Sequence, residues 1–148
     1  MLDNLKNILK LFFAKLGVTE DTADGYTSNA LLKIKAATID QILKNKLSEE
    51  ELKQKNEEYV KLLEDAKYTE VISDFEKYID EESGKFFASA FLDEIKETIK
   101  DLLKEGAITK EKAGELIDDL TKEIEKYATL NKVTGADSTQ GSLEALAN

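Results

Sequence analysis

The strongest constraint on this chain lies between Lys85 and Tyr127, where apolar residues recur every three or four positions. Phe87, Phe91, Leu92, Ile95, Ile99, Leu102 and Leu103 mark one face of a helix from Lys85 to Glu105, and Ala113, Leu116, Ile117, Leu120, Ile124 and Tyr127 mark a second. A 3.6-residue period of this length excludes strands and predicts amphipathic helices. Gly106 supplies the left-handed stop between them. Ile108 and Thr109 then restart the chain with a staple and a cap. Two helices joined by so short a turn pack antiparallel. Gly114, inside the second helix, costs about 1 kcal/mol against Ala, which suggests close packing there.

The other segments read as material around that hairpin. Leu2 to Leu16 places apolar residues at 2, 5, 8, 9, 12, 13 and 16. At 100° per residue they form an arc of about 140°, wide enough to face a core. Lys6 and Lys15 flank the arc, where their stems can snorkel, and Gly17 stops the helix. Val18 to Tyr26 is expected to be a polar connector. Thr27 or Ser28 would then cap a second helix running to about Lys44.

Leu47-Ser48-Glu49-Glu50-Glu51-Leu52 carries a capping box between Ser48 and Glu51, with Leu47 and Leu52 as its staple. Losing the Ser48 hydroxyl should cost about 1 kcal/mol. The helix it opens is expected to reach Ala66, with Glu49–Lys53, Glu51–Lys55 and Glu57–Lys61 as i,i+4 pairs on its solvated side. Thr69 is the expected cap of a shorter helix to Glu82 that Ser83-Gly84 breaks. From Asn131 onward the sequence turns small and polar, as expected of a flexible, disordered tail.

Together these segments predict an all-α fold: one helical-bundle-like domain of five to six helices over residues 1–130, followed by a tail over 131–148. At 148 residues, one domain is the expected count. An offset of sixty residues superimposes Leu31-Leu32 on Phe91-Leu92 and Ile42-Leu43-Lys44 on Leu102-Leu103-Lys104. After one inserted residue, Leu47-Ser48 falls on Ile108-Thr109. Two pseudo-repeated αα-hairpins would explain this, although capped amphipathic hairpins share such grammar by default.

Composition narrows the chemistry. The chain has no His, Cys, Trp or Pro, and all 21 of its basic residues are Lys. Nucleophilic triads, thiolate chemistry and zinc sites built on His or Cys are therefore excluded. Arg forks to phosphate or guanine are absent too, and a net charge of −10 repels nucleic acid. The charge is uneven. Residues 1–48 sum to +2 and residues 49–148 to −12. No apolar run approaches the ~20 residues of a membrane span, and Asp3 sits where a secretion signal wants only positive charge. A cytoplasmic protein is expected, with no cofactor and no metal.

Three short constellations invite a chemical reading. Glu20 to Leu31 invites comparison with a calcium-binding loop, yet Leu31 falls where the bidentate Glu belongs. Glu111, Glu115, Asp118 and Asp119 form an acidic strip that reads as a solvated helix face. Gly135-Ala136-Asp137-Ser138 resembles the phosphopantetheine attachment motif of acyl carrier proteins. That family has a hydrophobic residue after the Ser and a long helix starting there. Here Thr139 follows in a small, polar segment, so nothing is carried over.

No catalytic constellation remains, and the expected function is a small acidic protein-interaction protein, an adaptor, accessory subunit or regulator without catalytic activity. One alternative is an acidic inhibitor or nucleic-acid mimic covering a basic partner. Another is a peripheral membrane-surface protein using residues 2–16. The candidate partner-binding residues are Leu5, Leu9, Phe12 and Phe13 on the N-terminal helix, against the base-rate expectation that such an arc faces the core.

Overall fold

Caps and left-handed stops set the ends of several helices here, and the computed structural model describes residues 2–134 of this arrangement. The described residues are helical, with no strand among them. Seven α-helices and a 3₁₀ turn occur: α1 (Asp3–Leu16), α2 (Glu20–Ile34), α3 (Ile39–Lys44), α4 (Glu49–Glu64), α5 (Tyr68–Phe75), the 3₁₀ turn Glu76–Tyr78, α6 (Glu81–Lys104) and α7 (Lys110–Thr134). That exceeds the five or six expected.

α1 stops where expected, at Gly17 with φ 76°. α4 opens on the full capping box. The Glu51 N–H donates to Ser48 Oγ at 3.2 Å, and the Ser48 N–H donates to Glu51 Oε1 at 3.1 Å. The turn at Gly106, φ 75°, joins α6 to α7, and the Lys112 N–H donates to Thr109 Oγ1 at 3.2 Å. These two long helices form the most extensive packed pair. α7 continues through Thr134, beyond the expected boundary at residue 130. The rest of the expected tail, including Gly135 to Ser138, lies outside the described residues.

Three further boundaries differ from the sequence expectation. Val18–Tyr26 is not a connector: Thr19 caps α2, its side chain accepting from the Thr22 N–H, and Glu20 and Asp21 sit in the first turn where the helix dipole favours acids. Thr27 and Ser28, the expected caps, are buried mid-helix; the Thr27 hydroxyl donates to the Ala23 carbonyl at 2.7 Å.

The helix expected to reach Lys44 instead breaks at Ile34. There the Thr38 hydroxyl donates to the Ile34 carbonyl, and the Asp40 N–H reaches back five residues to Lys35. This wide turn re-aims the chain so that Ile39, Ile42 and Leu43 are buried.

The third difference concerns Ser83-Gly84. These residues belong to α6 rather than ending the helix before it. Asp80 caps α6 and exchanges hydrogen bonds with Ser83 in a second capping box. α5 has already ended at Phe75, so Thr69 caps nothing; α5 follows Lys67, which makes no side-chain cap.

The core is one contiguous cluster with side chains from all seven helices. Phe75, Phe87 and Phe91 stack along its middle at centroid separations of 5.0 and 5.6 Å. Gly114 is not a close-packing point, because a Cβ added there would meet nothing within 4 Å.

Candidate functional site

The four residues expected to bind a partner sit in the core. Leu5 and Leu9 are fully buried, and Phe12 and Phe13 nearly so. α1 is held at both ends. The Leu2 N–H donates to Glu76 Oε1 at 2.8 Å, and Lys15 pairs with Asp119 of α7 at 3.2 Å. While α1 is docked, its apolar arc therefore faces neither a partner nor a bilayer. No helix among the described residues is long and apolar enough to cross a membrane.

Among the described residues, two large apolar side chains lie outside instead, Leu11 at 64% exposure and Phe86 at 53%. Phe86 is the more telling because of its surroundings. Asp80, Glu81 and Glu82 are exposed at the start of α6, one turn before it. Glu82, Phe86, Asp93 and Glu97 fall within an arc of about 60° at 100° per residue, so an aromatic side chain lies in an acidic stripe. Lys85 is turned to Glu81 at 3.1 Å and Lys100 to Glu97 at 3.2 Å, which neutralises part of this face.

A second region is a polar hub joining α4 to α5. Asp74 accepts from Tyr59 Oη at 2.6 Å and pairs with Lys55 at 2.9 Å and Lys77 at 3.5 Å. Lys55 also lies over the rings of Tyr59 and Tyr78 at 5.8 and 5.7 Å. It turns to Asp74 rather than to Glu51, whose carboxylate serves the capping box. Burial on its own would raise the Asp74 carboxyl. The hydrogen bonds from Tyr59 and Lys55 overcome that and hold it below the usual carboxylate range. Burial first, and then this bond to Asp74, pushes the Tyr59 hydroxyl far up. Asp74 takes three donors at once and Lys55 also reaches Glu58 Oε2 at 3.4 Å, so the hub reads as a clamp.

The third region is a cleft of about 290 Å³ between α1 and the first half of α2. Leu9, Phe13 and Ala14 form its α1 wall, and Ala23 and Thr27 its α2 wall. Phe13 is steadied by the Tyr26 ring at 6.1 Å. Glu20 and Asp24 of α2 stand at the mouth with Lys10 of α1. Burial, then the neighbouring charges of Glu20 and Asp21, raises the Asp24 carboxyl.

Tyr68 also lines this cleft. Its N–H donates to Ser28 Oγ at 3.2 Å, anchoring α5 to α2, and the residue is only 2% exposed. Its hydroxyl has no hydrogen-bond partner among the described residues, and no sealed side-chain oxygen is left unpartnered. The hydroxyl therefore reaches the open volume that the ring lines. Burial, helped by Asp24 and Glu20, pushes its pKa up to about 12.

Sequence reasoning missed this cleft because α2 was expected to begin at residue 27. The signal was present in Thr19 followed by two acids, an N-terminal helix signature. Among the described residues no group of His, Cys, Asp and Glu is arranged to hold a metal ion, and the segment from Glu20 to Leu31 compared with a calcium-binding loop is helical. No protein-family model, curated protein or solved structure matches this chain.

Proposed function

We propose that this protein acts by binding another protein, without catalysing a reaction on it, and that the partner is basic. The observation that carries the proposal is the exposure of Phe86 inside the acidic stripe of α6. Association surfaces combine complementary charge, which steers encounter, with a few aromatic anchors that supply affinity. A chain of net charge −10 with a projecting aromatic ring has both ingredients. Such a protein serves equally as an adaptor, an accessory subunit or an inhibitor covering a basic surface. The test is capture of the partner from the cells that make the protein, using wild-type and Phe86→Ala chains at low and high salt. A basic protein held by wild type, released by salt and weakened by Phe86→Ala supports the proposal. A salt-insensitive complex indifferent to Phe86 overturns it.

We also propose that the domain is a bundle of two related halves. The caps Thr19 and Ser48 stand 29 positions apart, as do Asp80 and Thr109. Buried positions correspond as well: at the sixty-residue offset Leu31, Ile39 and Ile42 match Phe91, Ile99 and Leu102, and one residue further on Tyr59 and Leu63 match Leu120 and Ile124. The first half is broken between α2 and α3 where α6 runs straight. Superposition of the two halves should give matching crossing angles; unrelated angles refute common origin.

A further inference from the structure

We infer that the cleft between α1 and α2 is a binding site for a small organic ammonium, a protonated amine on a compact apolar body. Its walls and mouth divide the chemistry cleanly. The apolar portion of such a ligand would lie between Leu9 and Phe13 on one side and Ala23 on the other. At about 290 Å³ the cleft has nearly twice the volume of a ~150 Å³ cavity that takes benzene, which leaves room for a ring plus a short aminoalkyl arm.

The polar portion is selected by sign. Glu20 and Asp24 offer carboxylates at the mouth, and neither makes an ion pair among the described residues. The Tyr68 hydroxyl, nearly buried and without a partner, adds an acceptor inside. Tyr68 is 2% exposed, yet its hydroxyl bonds to no described residue and stays open to the cleft, where a bound donor can reach it. An ammonium carries three donors and no acceptor, matching two carboxylates and a hydroxyl lone pair. An anion would meet two like charges against the single Lys10.

This assignment is separate from the Phe86 surface, which lies on another helix. The experiment is a titration of the full chain with 2-phenylethylammonium, 2-phenylethanol and phenylacetate, followed by backbone amide shifts and calorimetry. The ammonium should bind at roughly 0.1–1 mM, the range expected of a ligand with so few atoms. It should move the amides of residues 9–14 and 20–27 and bind at least tenfold more tightly than the alcohol. Phenylacetate should not bind. Tyr68→Phe, which removes only the hydroxyl, should weaken binding about fivefold, and Asp24→Asn, at the solvent-facing mouth, about tenfold.

Equal binding of alcohol and ammonium overturns the proposal, as does preference for phenylacetate or absence of binding by all three. N-acetyl-lysinamide distinguishes the source of the ammonium. If it binds more tightly than the free amine, the small-amine assignment falls in favour of a lysine side chain of a protein partner. Because the three-ligand comparison is made on the wild-type chain, a variant that fails to fold does not rescue the proposal.

Discussion

Asp40→Ala should destabilise the fold far more than Lys35→Met, although both remove the same ion pair. The Lys35 side chain is 5% exposed at the break between α2 and α3, where its ammonium donates to Asp40 Oδ1 at 2.9 Å and to Asn56 Oδ1. Removing Asp40 leaves that charge buried with a neutral partner only. Breaking a buried pair this way typically costs 3–5 kcal/mol. The Asp40 side chain is 28% exposed and Asn56 still accepts, so about 2–3 kcal/mol is expected.

Lys35→Met keeps the stem volume and removes the charge, so its cost should stay within about 1 kcal/mol. Urea unfolding followed by far-ultraviolet circular dichroism measures both. With a slope of roughly 1.5–2 kcal/mol/M, Asp40→Ala should lower the midpoint by about 1–2 M. In the Lys35→Met background the same change should cost less than about 1 kcal/mol. Equal destabilisation by the two single substitutions, or a change below 0.5 kcal/mol (roughly the noise of surface substitutions) for Asp40→Ala, would refute the reasoning.

Other substitutions follow from the same structure. Gly114→Ala should stabilise the protein by about 1 kcal/mol, read as a higher urea midpoint, because the position is exposed and helical with open space around it. Tyr59→Phe should cost about 1.5–3 kcal/mol at neutral pH by removing a hydrogen bond to a charged acceptor. The Asp74 carboxyl is lower in the folded state than in the unfolded one. Its stabilising effect is therefore complete above the unfolded value of about 3.9 and is lost as pH falls through the folded value. Asp74→Asn should accordingly flatten the acid limb of a stability–pH curve, whereas an unchanged limb contradicts the clamp. Deleting residues 1–16 should abolish cooperative unfolding, since Leu2, Leu5, Leu9, Phe12 and Phe13 all leave the core.

The parts of the fold written in large apolar residues were legible in the sequence. The α6–α7 hairpin, the Ser48 capping box and the stop at Gly17 all follow from residue type and spacing. The first half of α2 was not, because residues 20–26 bury no side chain: the buried positions of this helix, Thr27, Ser28, Ala30 and Leu31, begin only at residue 27. Ser83-Gly84 read as a breaker because its composition resembles a loop. Asp80, three residues earlier, turns it into a helix start, with Gly84 buried. Lys55 was expected to pair locally, and only the fold brings Asp74 to it. The candidate cleft was hidden for the same reason: Tyr68 is distant in sequence from α1, and its unpartnered hydroxyl is a property of packing alone.

The most direct test of the proposed function is the affinity of the captured partner for the full chain, measured across salt with wild type and Phe86→Ala. A basic partner whose affinity falls steeply with ionic strength, and about tenfold or more on loss of the Phe86 ring, is the expected result. A partner bound equally well at low and high salt, with or without that ring, would contradict it.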